Sequence, residues 1–224
     1  MNQVAINLIA ISVFAMTMST LLGPLLNISQ TIPAIATFAI LGIASIDNFA
    51  WEGKGGNLVL DSIARFSPKY RERIVHHEAG HFLVASLLGV SVTGYTLSAW
   101  EALQQNQPGQ GGLSFDDEEL AQQVEAGHIS AQMLDRYCTV LMAGIAAEKL
   151  IYDEVEGGAD DKSKLNAILN SLGFSPSNNK QKLRFYTLQA KTLIQDNLSN
   201  YQNLVDAMHQ RKSVSECLQA SRNN

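Results

Sequence analysis

The sequence predicts a mainly α-helical protein: an N-terminal membrane-spanning helical hairpin, then a larger helical domain with one small β-hairpin. Three observations predict it. No residue from 2 to 46 carries a charge. Apolar residues recur at helical spacing through most of the chain beyond Pro68. Residues 90–97 instead alternate and are rich in β-branched side chains, as in a strand.

The front of the chain comes first. A helix needs about 20 apolar residues to cross a ~30 Å hydrocarbon core, so the uncharged run is long enough to cross twice. It breaks at Gly23-Pro24 and at the polar stretch from Asn27 to Thr31, giving spans at about 4–22 and 32–50. Asp47 then falls near an interface, and Trp51 and Lys54 stand where headgroups would be. A cleaved signal peptide would need a basic start, and the first basic residue is Lys54. The hairpin therefore occupies 1–51, a linker 52–66 and the helical domain 67–224. Lys54, Arg65, Lys69, Arg71 and Arg73 all follow the second span, which places that domain on the cytoplasmic side or its stromal equivalent.

Charge and cysteine content exclude several function classes. The net charge is −5 and no Lys/Arg cluster occurs, so nucleic acid is not an expected partner. Cys138 and Cys217 lie in helical patterns and read as buried free thiols in a reducing compartment, without a disulfide framework or a Cys-x-x-Cys metal site.

The domain opens with its most informative stretch. Ser67 fits an N-cap, Pro68 the first helical position and Gly89 a stop, so one helix runs from about Pro68 to Leu88. Lys69, Arg71, Glu72 and Arg73 in its first turns put it in water or at a membrane surface. Its middle reads His77-Glu78-Ala79-Gly80-His81. Residues four apart share a helix face, so both imidazoles can address one ion. Two neutral imidazoles suit Zn2+, and the glutamate beside the first can take a proton from an activated water. A buried, hydrogen-bonded histidine pair would look the same.

Beyond Gly89, the strand at 90–97, a flexible loop at 104–112 and a return strand at 112–115 form a hairpin. It is either a plain surface hairpin or one that holds an extended peptide by backbone hydrogen bonds. The acidic run 116–119 reads as a solvated turn or helix start. Residues 130–152 read as one long helix whose small-residue centre, from Leu141 to Glu148, permits close packing on the motif helix. Glu156-Gly157-Gly158-Ala159-Asp160-Asp161 leads into another helix. One of the two aspartates can cap that helix and the other can supply a third metal ligand. Leu183, Tyr186, Ala190, Leu193, Leu198, Tyr201, Val205 and Met208 mark an apolar stripe that packs a core helix or helical pair, with self-association as the other use.

From about Ser67 to Leu218 these pieces resemble, in order and separation, the peptidase domain of the FtsH family of membrane-anchored zinc proteases. The match rests on His76-His77-Glu78-Ala79-Gly80-His81-Phe82, on Met142-Ala143-Gly144-Ile145-Ala146-Ala147-Glu148, on the segment from Glu156 to Asp161, and on the helical tail around Ala190–Ile194 and Leu204–Met208. The resemblance implies a helical, zincin-like fold with His77 and His81 as zinc ligands and Glu78 as general base. It also implies a distant aspartate ligand. This chain has Gly-Ala-Asp-Asp where the family has one residue more, and a one-residue deletion makes that ligand Asp161 rather than Asp160. His76 points elsewhere and is structural.

The expected activity is thus that of a membrane-anchored zinc endopeptidase acting on membrane-associated or unfolded proteins. Its partners would be protein or peptide substrates, the lipid bilayer, and an ATPase-bearing FtsH-type subunit or a second copy. No G-x-x-x-x-G-K-[ST] loop occurs in the chain, so ATP is not expected to bind. Relatives lacking the ATPase module suggest a cyanobacterial or plastid membrane. Ile145 stands where the family carries arginine, and the altered Gly-Ala-Asp-Asp and the absent ATPase module favour the competing expectation of a non-catalytic scaffold or assembly factor.

Overall fold

The structure, a computed structural model, describes residues 3–27, 29, 31–50, 67–105, 112–116, 118–125 and 129–222. The linker expected at 52–66, the flanking Trp51, residues 106–111 of the expected loop and Asp117 lie outside the described residues. In chain order the elements are α1 (Gln3–Leu22), a 3-10 turn (Gly23–Leu26), α2 (Thr31–Ala50), α3 (Pro68–Leu88), β1 (Val92–Thr96), α4 (Ala99–Gln104) and β2 (Gly112–Phe115). They continue with α5 (Glu118–Glu125), α6 (Ala131–Leu141), α7 (Ala143–Tyr152), α8 (Ala159–Ser171), α9 (Pro176–Asp196), α10 (Leu198–His209) and α11 (Val214–Ala220). Contacts divide the chain into two units, Met1–Ser67 with Ser98–Gln110, and Pro68–Leu97 with Gly111–Asn224.

In the first unit α1 and α2 form a helical hairpin. Proline inside a helix removes a donor and clashes with the preceding turn, so α1 stops at Leu22, ahead of Gly23-Pro24. Asn27, left-handed at φ 55°, ends the 3-10 turn. Thr37 Oγ1 reaches Met16 Sδ across the hairpin at 3.3 Å.

The expectation of a membrane-spanning pair is corrected here. Both helices exist, but among the described residues no helix is long and apolar enough to cross a membrane. Lack of charge is a weaker property than sustained apolarity. Asn7, Ser12, Thr17, Ser19 and Thr20 interrupt α1, as Thr37, Ser45 and Asp47 interrupt α2. Thr17, Thr20, Thr37 and Ser45 turn their hydroxyls back onto the carbonyls four residues earlier, which satisfies them without making them apolar. The integral-membrane placement, with its cytoplasmic or stromal orientation, rested on those spans and falls with them.

In the second unit α3 is the central element, with the bounds its sequence predicts. Its C-terminal half is largely apolar, and Phe82, Leu83, Val84 and Ala85 are fully buried. Burying each large apolar side chain there contributes about 1.5–3 kcal/mol. Helices α6, α7 and α10 and the β-hairpin pack around it. The approach to α7 is the closest: a Cβ on Gly80 would lie 2.6 Å from Ala143 O and 2.7 Å from Ala147 Cβ. The small residues at 143, 144, 146 and 147 permit it.

Two details differ from the sequence reading. Residues 130–152 form two helices, α6 and α7, that meet at Met142. Arg73, expected in water, is buried at 6 % exposure. The closing apolar stripe is the expected helical pair, α9 and α10, broken at Asn197. Tyr186, Ala190, Tyr201, Val205 and Met208 of that stripe are spent on the unit's own core, while Leu198 is exposed.

β1 and β2 pair antiparallel as expected, with Thr96 opposite Gly112 and Val92 opposite Phe115. Cys138 and Cys217 are buried and unbridged, and burial pushes the Cys138 thiol up to about 12.

Candidate metal centre

The site is built from the centre of α3 outward. His77 and His81 lie one turn apart on α3, and their Nε2 atoms approach to 3.1 Å. Each ring is held from behind through Nδ1. His77 Nδ1–H donates to Glu148 Oε1 at 2.7 Å and His81 Nδ1–H donates to Val140 O at 2.7 Å. A carboxylate and a carbonyl can only accept, so these bonds keep a proton on each Nδ1 and turn both Nε2 atoms toward each other and toward Asp161.

The helix break at Met142 explains the second anchor. The last carbonyls of a helix have no partner one turn ahead, and Val140 O, near the end of α6, is satisfied by the imidazole instead. Immediately after the break comes Gly144. A Cβ there would collide with His77 Nε2 and lie 2.5 Å from His81 Nε2, so a residue without a side chain is what leaves room for both rings.

The third group arrives from a different segment. After α7, Asp153 and Gly158 both take left-handed conformations, at φ 59° and 76°, and turn the chain into α8. Asp161 in the first turn of α8 then places Oδ2 3.2 Å from His77 Nε2 and 3.5 Å from His81 Nε2. One donor atom from each of His77, His81 and Asp161 lies within 4.8 Å of the others. Asp160, its neighbour, is exposed and outside this group. Neither aspartate caps α8, whose N-cap is Gly158 with no side-chain hydrogen bond.

These residues fit a divalent cation. Two unprotonated imidazole nitrogens and one carboxylate oxygen form a donor set that suits zinc, although imidazole serves several transition metals and the set does not single zinc out. Glu78 stands beside the group, half-buried, and its Oε2 is shut off from solvent without a hydrogen-bond partner among the described residues. The position of a Cβ on Gly112 would lie 3.7 Å from that oxygen, so the start of β2 runs past Glu78.

The electrostatics follow from the packing. Burial opposes charge on His77, but the Asp161 and Glu148 carboxylates on its two nitrogens outweigh it and raise its pKa to about 10. Burial likewise opposes charge on Asp161, and the facing His81 and His77 override it, holding the carboxyl far below the usual carboxylate range. His77 and Asp161, 3.2 Å apart, thus favour each other's charged form. Burial raises the Glu78 carboxyl, against the lowering pull of His77 and His81, toward the range useful to a proton acceptor. His76 faces away as expected. Its Nδ1–H donates to Tyr201 Oη at 2.9 Å, Tyr201 donates to His76 O at 2.9 Å, and burial lowers its pKa, which keeps it neutral.

The structure brings His77, Glu78, His81 and Asp161 into one place. It adds Glu148 and Arg73, which carried no role in the sequence reading. Glu148 is 1 % exposed and accepts from His77, from Arg73 Nη1 at 3.0 Å, and from the backbone N–H groups of Glu156 and Gly157. The available signal was a lone glutamate closing a run of small buried residues, where a charge needs a partner. No known protein family matches the chain, and no curated protein does either.

Proposed function

We propose that this chain is a zinc-dependent endopeptidase of the kind its motif segments resemble, the FtsH family, with His77, His81 and Asp161 as the metal ligands. The observation that carries the reading is the convergence of the two Nε2 atoms and Asp161 Oδ2, with the buried Glu78 Oε2 alongside. Zinc bound there would supply Lewis acidity toward a water and toward the scissile carbonyl.

The chain's own residues supply the rest. Glu148 and Val140 O keep both imidazoles aimed at one point. An extended polypeptide laid along β2 brings a carbonyl past Glu78, because Gly112 opens that strand beside the carboxylate. Glu78 Oε2 takes a proton from the water as its oxygen bonds to the carbonyl carbon. It then gives the proton to the departing amine nitrogen as the C–N bond breaks. Burial around Glu78 raises its basicity, which favours taking the proton.

The test compares wild type with Glu78→Gln on a quenched-fluorophore peptide library and a disordered protein. The variant should keep its zinc and lose cleavage by about 10²–10⁴-fold. Cleavage undiminished in Glu78→Gln would remove Glu78 as the base. A zinc-loaded wild type that cuts neither substrate would favour the non-catalytic scaffold.

A further inference from the structure

Among the described residues, Glu148 meets only donors. Its Oε1 accepts from His77 Nδ1–H at 2.7 Å and from Gly157 N–H at 3.1 Å. Its Oε2 accepts from Arg73 Nη1 at 3.0 Å, from Glu156 N–H at 2.9 Å and from Gly157 N–H at 3.3 Å. Arg73 reaches the same loop twice more, donating to Glu154 O at 2.9 Å and pairing with Glu156 Oε1 at 3.3 Å. Its guanidinium is seated 4.4 Å over the Tyr152 ring. The pair is buried, at 7 % and 1 % side-chain exposure, where an unmatched charge would be costly.

The loop so tied, from Glu154 to Gly157, leads directly into Gly158 and the first turn of α8, which carries Asp161. It is held at close range, since a Cβ on Gly157 would lie 2.5 Å from Glu148 Oε1. We infer that Glu148, with Arg73 as counter-ion, is a positioning residue for two ligands at once: it aims His77 and fixes the loop that delivers Asp161. One carboxylate on α7 thereby joins a ligand on α3 to a ligand on α8. The inference rests on the metal reading above for its ligand half and on the apo geometry for its loop half.

The consequence for Glu148→Gln is specific. An amide of the same shape must place its NH2 against a donor in either orientation. Toward His77 it opposes Nδ1–H and shifts the ring proton to Nε2, closing the lone pair a metal needs. Toward Arg73 it opposes the guanidinium and Glu156 N–H.

The experiment uses full-length protein and two readouts, zinc affinity by chelator competition and amide exchange at Glu156 and Gly157 in metal-free protein. Glu148→Gln should lower zinc affinity about 10–100-fold. It should also accelerate exchange at both amides by tenfold or more, while Leu204 in the α10 core stays slow. Asp161→Ala should lose zinc yet keep Glu156 and Gly157 slow. A folded Glu148→Gln protein within twofold of wild type in both readouts would overturn the proposal, and movement in only one would overturn the joint role. Should Glu148→Gln not fold, Arg73→Lys keeps the charge but not the fork. Both readouts must then move the same way by a smaller factor, and their constancy overturns the proposal. If wild type takes up no zinc, the metal reading fails and amide exchange alone decides the brace.

Discussion

His77 and His81 sit one turn apart on the same helix and face the same point, yet different chemistry holds them. His77 is backed by a buried carboxylate that is itself neutralised by Arg73, whereas His81 is backed by the neutral carbonyl of Val140. A charged anchor is tunable: pH or one substitution can weaken it. A backbone anchor moves only if the helix junction moves. The difference makes His77 the proposed ligand on which conditions and mutations act, and His81 the fixed reference.

The largest effect comes from a change that strikes both rings. Gly144→Ala puts a methyl group against both Nε2 atoms. It should abolish zinc binding in a titration and cost about 1–3 kcal/mol in chemical denaturation through overpacking. Retained binding would mean that the rings are not confined as described.

The next effect separates the two histidines. His77 is raised to about 10, so its contribution to metal-free stability is complete below its unfolded value of 6.5 and is lost as pH rises through about 10. Glu148 is lowered to about 2, so its contribution is complete above 4.5 and is lost as pH falls through about 2. The metal-free protein should therefore gain most from this network between pH 4.5 and 6.5. Zinc must displace the His77 proton, so affinity should rise about tenfold per pH unit between 7 and 9, with about one proton released per ion. A flat pH profile would remove the charge-based account of His77.

A smaller effect tests the neighbouring His76. Tyr201→Phe leaves its buried Nδ1–H unpaired and should cost about 1–3 kcal/mol of stability, with zinc affinity unchanged. Smallest is Asp160→Ala, which removes one exposed carboxylate from the first turn of α8. About 0.3–1 kcal/mol should be lost through the helix dipole, again without effect on zinc. If Asp160→Ala rather than Asp161→Ala released the metal, the ligand register would be wrong.

What was legible in the sequence was local. Helix α3 announced itself through proline, periodicity and its glycine stop, and the His77/His81 pairing needs only the helical repeat. The β-hairpin followed from alternation and glycine. Asp161 was reached through the resemblance and a one-residue deletion, since no local rule links residues 81 and 161. What escaped depends on contacts between segments distant in the chain. Arg73 and Glu148 are 75 positions apart, and each alone reads as a solvated charge. The break at Met142 lies in a run of good helix formers, and its use, freeing Val140 O for His81, is visible only in three dimensions. The front of the chain failed for another reason. Absence of charge does not make a segment apolar, and the serines, threonines and Asn7 within α1 and α2 lower the hydropathy of both helices.

The central claim is that His77, His81 and Asp161 form one metal site, and stoichiometric zinc titration of purified wild type beside His77→Ala and Asp161→Ala tests it most directly. The account predicts about one tightly bound ion per chain in wild type, lost in both variants while their helical content remains. Wild type that binds no zinc, or an Asp161→Ala variant that binds it as tightly as wild type, would contradict it.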